Sequence, residues 1–155
     1  MESFQYKKLY SLCFVHTDAD VLLGMKKRGF GEGLWNGFGG KVEEGESIED
    51  AAKRELLEES GIRAIEIEKI GVNVFEFVGD PKLLDVHIFS VKKFTGEPIE
   101  SEEMRPQWFK KREIPYHAMW ADDKIWLPKL FEGSRFTGAF TFKDNNLIKH
   151  SLKIL

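Results

Sequence analysis

The stretch from Gly40 to Ile62, GKVEEGESIEDAAKRELLEESGI, constrains the fold of this chain more than any other segment. Ser47 precedes an apolar-periodic run and Asp50 follows three residues later, the pattern of a helix N-cap with a capping-box partner. Gly61 can supply the left-handed residue that closes a helix. The residues between are mostly Ala, Lys, Arg, Glu and Leu, all strong helix formers. A short helix over 48–60 follows, with both ends marked.

The side chains of that helix sort unusually. At about 100° per residue, Ala51, Ala52 and Leu56 fall within roughly 80° of Ile48, and Glu55, Glu58 and Glu59 fall within the same arc. Asp50, Lys53 and Leu57 point the other way. A solvated charge cluster would place its acids opposite the apolar stripe. Three acids sharing a half-buried face are costly unless a cation accompanies them, and hard oxygen ligands suit Mg²⁺, with Mn²⁺ as the alternative. The preceding Asn36-Gly37-Phe38-Gly39-Gly40-Lys41 adds glycines that permit close backbone approach to a ligand. Its N–H groups and the Lys41 ammonium are expected to meet phosphate oxygens.

Size and charge narrow the setting. At 155 residues and 42% hydrophobic, one domain spanning 1–155 with a substantial core is expected. A formal net charge of −3 gives no electrostatic footprint for nucleic acid, so a small anionic substrate must be held by local groups and metal. The single Cys13 excludes an internal disulfide and fits a reducing compartment. No apolar run approaches a membrane span, and residues 1–8 carry neither a signal-peptide core nor an Arg-rich transit pattern. The expectation is a cytoplasmic monomer with no membrane partner, with nuclear or mitochondrial pools left open.

Apolar and β-branched runs predict strands near 9–15, 20–27, 69–79, 84–94 and 104–110. Two more lie near 135–143 and 147–154, joined by a hairpin turn at Asp144-Asn145-Asn146. In the last, Ile148, His150, Leu152 and Ile154 share one side. A second helix is expected around 122–132, capped by Asp122 or Asp123 and ended by Gly133. The result is one mixed α/β domain.

Two further groups bear on a ligand. Strand alternation puts Asn73, Phe75 and Phe77 on one face, a spacing that most often serves a core and less often an aromatic pocket. Trp120 and Trp126 bracket Asp122 and Asp123, and aromatic faces beside hydrogen-bonding groups are what a purine needs. Trp126 also reads as a buried anchor of the second helix. His16, His87, His117 and His150 have no ligand spacing and read as structural. No Gly-x-Ser-x-Gly elbow or Cys/His pairing points to covalent catalysis.

The 23-residue pattern from Gly40 to Ile62 matches the signature of the Nudix hydrolases without a gap or substitution. The chain also resembles the branch of that family that acts on oxidised purine nucleoside triphosphates. Residues 22–30, 35–41, 74–79, 103–106 and 119–123 carry that likeness. The resemblance implies an α/β/α sandwich with a mixed β-sheet, in which the signature forms a loop–helix–loop and a second helix completes the fold. It implies hydrolysis of modified purine nucleoside triphosphates to a monophosphate and pyrophosphate, sanitising the nucleotide pool. Metal would be held by Glu55, Glu58 and Glu59, the Gly39 carbonyl and Glu103. Glu59 is the expected general base, with Glu58 as runner-up, and Arg54 orients the acids while Glu46 holds the loop. Substrate contacts are implied at Ser11, Lys26, Phe30, Asn36, Phe38, Gly39, Gly40, Lys41, Phe75, Phe77, Trp120, Ala121, Asp122, Asp123 and Trp126. Within this the Asp122–Asp123 pair reads the purine edge, offering both donor and acceptor if one acid is protonated. Ser11, Leu84 and Ala121 depart from the Thr, Met and Pro familiar there, which bears on substrate preference. The alternatives are a Nudix enzyme for ADP-ribose, a dinucleoside polyphosphate or a cap, and a catalytically dead nucleotide-binding module.

Overall fold

The computed structural model describes residues 4–155, so Met1, Glu2 and Ser3 of the N-terminal reading lie outside the described residues. Among the described residues, nine strands and two α-helices follow in chain order. They are β1 (Tyr6–His16), β2 (Asp20–Lys26), β3 (Trp35–Asn36), β4 (Phe38–Lys41), α1 (Ile48–Ser60), β5 (Arg63–Phe77), β6 (Lys82–Thr95), β7 (Met104–Lys110), α2 (Asp123–Glu132), β8 (Phe136–Lys143) and β9 (Asn146–Ile154). The strands form one sheet in the order β3-β2-β1-β6-β5-β8-β9, with β4 paired to β1 and β7 to β2. β1 runs parallel to β6 and β5 parallel to β8, while the other pairs are antiparallel. The sheet is mixed, as expected.

Alternation along the central strands sends side chains to two cores. Phe14, Val21, Leu23, Val86 and Ile88 meet Trp126, Leu127 and Leu130 of α2 on one face. Cys13, Val15, Leu22, Phe89 and Val91 meet Ala52 and Leu56 of α1 on the other. Odd and even positions of one strand thus hold a helix on each side, and a sandwich results. Helix α1 occupies the expected 48–60. The Ser47 side chain accepts from the Asp50 amide, and Gly61 closes the helix at φ 78°.

Two readings change. The glycine-rich segment before α1 is not an open loop but the short strands β3 and β4. A Cβ at Gly39 would lie 1.9 Å from the Ser11 carbonyl oxygen, and one at Gly37 2.5 Å from that of Cys13. Those glycines therefore permit close backbone approach to β1. In β9, a register irregularity opposite Thr141 and Phe142 breaks the alternation. Leu147 and Leu152 pack on the core, whereas Ile148 and Ile154 are exposed. The turn falls at Asp144 and Asn145, both with positive φ, as tight hairpins require. Among the described residues no helix is long and apolar enough to cross a membrane.

Candidate active site

Helix α1 lays its acids against β4 and the segment before β7, and a cavity of about 500 Å³ opens there. It is lined by Lys26, Arg28, Gly39, Gly40, Glu55, Glu58, Glu59, Ser101, Glu102 and Glu103. The backbone comes very close to the helix, since a Cβ at Gly40 would sit 2.9 Å from the Glu55 carboxyl. Glu59 is only 7% exposed, and its Oε1 accepts from the Gly39 N–H at 2.9 Å. Burial pushes its carboxyl up to about 7 against the relief given by that N–H, and the Glu55 charge adds to the rise. Burial likewise raises Glu55, opposed by Arg54. Glu58 departs from the expected burial: it stands at the edge of the arc, and its side chain is 59% exposed.

Arg54 ties the acids together. Its Nε and Nη2 donate to the two oxygens of Glu46 at 3.1 and 2.8 Å. Nη1 donates to Glu55 at 2.9 Å and to Glu58 at 3.3 Å, and Nη2 reaches the Lys41 carbonyl at 3.3 Å. A planar guanidinium has the fork for this work and an ammonium does not. Glu46 is held below the usual carboxylate range by its bond from Arg54.

Among the described residues, no three acidic, histidine or cysteine side chains close into a set that would itself hold a metal ion. The reason is visible: each carboxylate is held separately, Glu55 and Glu58 by Arg54, Glu59 by Gly39, and Glu103 by Lys26 and Arg28. The chemistry still suits a hard divalent cation. Five carboxylates line one cavity, and two of α1's have their charge disfavoured by burial.

A second group lies toward α2. Phe30, Phe77, Phe142 and Trp120 form an aromatic cluster, with Phe30 stacked on Trp120 at 5.0 Å and edge-on to Phe77 at 5.6 Å. Phe30 is 67% exposed and caps the cluster from the solvent side. Phe75 stacks on Phe140 and Phe142, so it is shared with the core. Asp122 and Asp123 are both buried. Asp122 occupies the N-cap position of α2 but makes no capping bond, contrary to its expected capping role. Its Oδ2 instead accepts from Trp126 Nε1 at 2.7 Å. Burial raises both carboxyls, and Asp123, facing the charge of Asp122 as well, is raised well above the ordinary range. Asp122 Oδ1, Asp123 Oδ2 and the Ser11 hydroxyl are buried without a partner. Buried polar atoms of this kind are rare and call for a ligand or water.

The remaining expected residues fall as follows. Asn36 Oδ1 accepts from the Gly37 N–H at 2.8 Å. Phe38 is fully buried in the core beneath α1, and so is placed to pack rather than to touch a ligand. Trp126 is fully buried, Ala121 packs on the α2-side core, and Lys41 is exposed. Arg28, Ser101 and Glu102 line the acid cavity although the sequence reading passed over them. The signal for Arg28 was its two-residue offset from Lys26, which continues one face of β2 past its end. Ser101 had none. The buried His16 sits 2.7 Å from Ser90 Oγ, while Lys111 donates to its Nδ1 at 3.0 Å.

The chain is similar to known proteins in sequence and fold. Residues 8–130 match the NUDIX domain family. The chain is 56% identical over 147 residues to the oxidized purine nucleoside triphosphate hydrolase of Mus musculus, covering 94% of each. It is 55% identical over 146 residues to the protein of that name from Danio rerio, again covering 94% of each. A MutT protein from Bacillus halodurans has the same fold, with a TM-score of 0.84 at 30% identity over 94% of this chain and 97% of that one. This chain belongs to the Nudix family.

Proposed function

We infer that this chain hydrolyses oxidised purine nucleoside triphosphates, such as 8-oxo-dGTP and 2-oxo-dATP, to the monophosphate and pyrophosphate. It thereby clears damaged purines from the nucleotide pool before polymerases use them. The observation that carries this is the pairing of an acid-lined cavity with a buried, unsatisfied Asp122–Asp123 pair beside Trp120 and Phe77. Near-full-length similarity to hydrolases of that substrate class supports it.

Nudix hydrolases use a divalent metal; here Glu55, Glu58, Glu59 and Glu103, with the Gly39 carbonyl, would hold Mg²⁺ or Mn²⁺. Bound there, the cation would neutralise phosphate charge and make water a better nucleophile. Glu59 is the group we assign to accept the proton of the attacking water, since its carboxyl lines the cavity and is oriented there by the Gly39 N–H. Glu58 is the alternative. Arg54 keeps Glu55 and Glu58 aimed at the cavity, and Lys26, Lys41 and the Gly40 backbone attract phosphate oxygens. On the base side, ionised Asp122 accepts from purine N–H groups and protonated Asp123 donates to a purine oxygen. Asn36 and Ser11 add polar contacts, and Phe30, Phe75, Phe77 and Trp120 supply aromatic faces. We further propose that methylated purines are accepted, and that the chain acts as a cytoplasmic monomer on a free nucleotide.

A kinetic panel with Mg²⁺ tests the reading: 8-oxo-dGTP, 2-oxo-dATP, a methylated purine triphosphate, plain dGTP and ADP-ribose. Oxidised purines should lead in kcat/KM, with pyrophosphate released. A lead for ADP-ribose, or no turnover, would overturn it.

A further inference from the structure

Two cations on the acid-lined cavity converge on one carboxylate, Glu103, and Arg28 Nη2 has a second, longer contact at 3.3 Å with the exposed Glu102. Lys26 Nζ lies 3.1 Å from Glu103 Oε2, while Arg28 Nε and Nη2 converge on Oε1 at 2.9 and 2.8 Å. Both oxygens of Glu103 are thus occupied. These pairs are open to water, Arg28 being 59% and Glu103 40% exposed in their side chains. Exposed pairs of this kind are weak and can exchange partners at little cost.

The charge balance of the cavity sharpens the point. Glu55, Glu58, Glu59, Glu102 and Glu103 face Lys26 and Arg28 across it, and Arg54 is already engaged with Glu46 and Glu55. While Glu103 holds both cations, neither Lys26 nor Arg28 is free to receive a polyanion. When Glu103 serves a divalent cation it must release an oxygen from Lys26 or Arg28. The freed groups then face the space where phosphates lie, and a guanidinium grips phosphate by two parallel bonds.

We propose that Lys26 and Arg28 are exchangeable counterions of Glu103, which pass to the nucleotide phosphates as Glu103 turns to the divalent cation. Arg28 is thereby a nucleotide-binding residue. Cation and nucleotide binding assist each other, because each removes a competitor of the other. This rests on the cavity being the cation and phosphate site, as read above.

The signature of an exchange is opposite movement of two affinities. Arg28→Ala should bind Mn²⁺ several-fold more tightly than wild type without nucleotide, measured by calorimetry, because Glu103 has lost a competitor. The same variant should raise KM for 8-oxo-dGTP at saturating Mg²⁺ by roughly tenfold, with kcat within about threefold, since a charged phosphate contact is lost. Arg28→Lys should recover part of the KM and show near wild-type Mn²⁺ binding. Weaker Mn²⁺ binding in Arg28→Ala, or an unchanged KM, would overturn the proposal; a merely structural role would weaken both. The wild type's own Mn²⁺ binding and pyrophosphate release report on the underlying reading, and the variant-to-wild-type ratios report on the exchange.

Discussion

Trp126 Nε1 donates to Asp122 Oδ2 at 2.7 Å, and this one bond divides two adjacent buried acids. It eases the charge on Asp122, whereas Asp123 meets burial and its neighbour's charge together. Burial and the neighbouring charge thus favour the protonated form at Asp123 over Asp122. Asp122→Asn and Asp123→Asn should each raise KM for 8-oxo-dGTP by about tenfold or more, the cost of leaving a buried polar contact unmade. Steady-state kinetics checks this, and unchanged KM in both variants would remove the pair from base recognition.

Glu59→Gln should lower kcat by at least ~100-fold, as expected for loss of a general base, while nucleotide still binds. Its stability should also respond to pH differently. The folded carboxyl titrates near 7 and the unfolded one near 4.5, so the wild type loses stability as pH rises across that window. The full cost is up to about 3 kcal/mol without cation, at ~1.4 kcal/mol per unit. Urea midpoints in chelator at pH 5 and 8 should show the fall in wild type and its absence in the variant.

Arg54→Lys preserves charge but cannot serve Glu46, Glu55 and Glu58 together. Activity should fall by roughly tenfold or more, with a stability loss on the order of 1 kcal/mol for part-exposed pairs. Near wild-type kcat/KM would show that a point charge suffices.

The buried His16 predicts an acid weakness. Burial, then the charges of Lys111 and Lys92, push its imidazole down to about 4. The unfolded chain takes up a proton near 6.5 and the folded one only near 4, so stability is complete above 6.5 and falls as pH drops through that window. Thermal melts between pH 4 and 7 should show this slope in wild type and lose it in His16→Asn.

What was legible in the sequence was mostly local. The ends of α1 depend on Ser47, Asp50 and Gly61, all within the segment they terminate. Helical spacing alone placed Glu55 and Glu59 inward, but Glu58 sits at the edge of the arc, where neighbouring elements decide burial. Strands β3 and β4 were hidden because the glycines in and between them read as turns, and only pairing of β3 with β2 and of β4 with β1 explains them. The irregularity facing Thr141 and Phe142 is likewise invisible to simple alternation. For Asp122 the four-residue offset to Trp126 was readable, yet choosing the indole over the helix end requires knowing that both are buried. Ser101, whose hydroxyl donates to the Glu59 carbonyl at 3.1 Å and accepts from the Met104 N–H at 3.1 Å, could not be found without the tertiary fold.

Because α1 is pinned at Ser47 and Gly61, its length behaves as a ruler rather than a spacer. One residue inserted between Ser47 and Glu55 would turn the remaining carboxylates by about 100° and advance them about 1.5 Å. Glu59 would leave the Gly39 N–H, and Leu56 would leave the core. Point substitutions in this helix can be graded in effect, but changes in its length are all or nothing. Variation in loop length is therefore expected outside this segment, where no such count has to be kept.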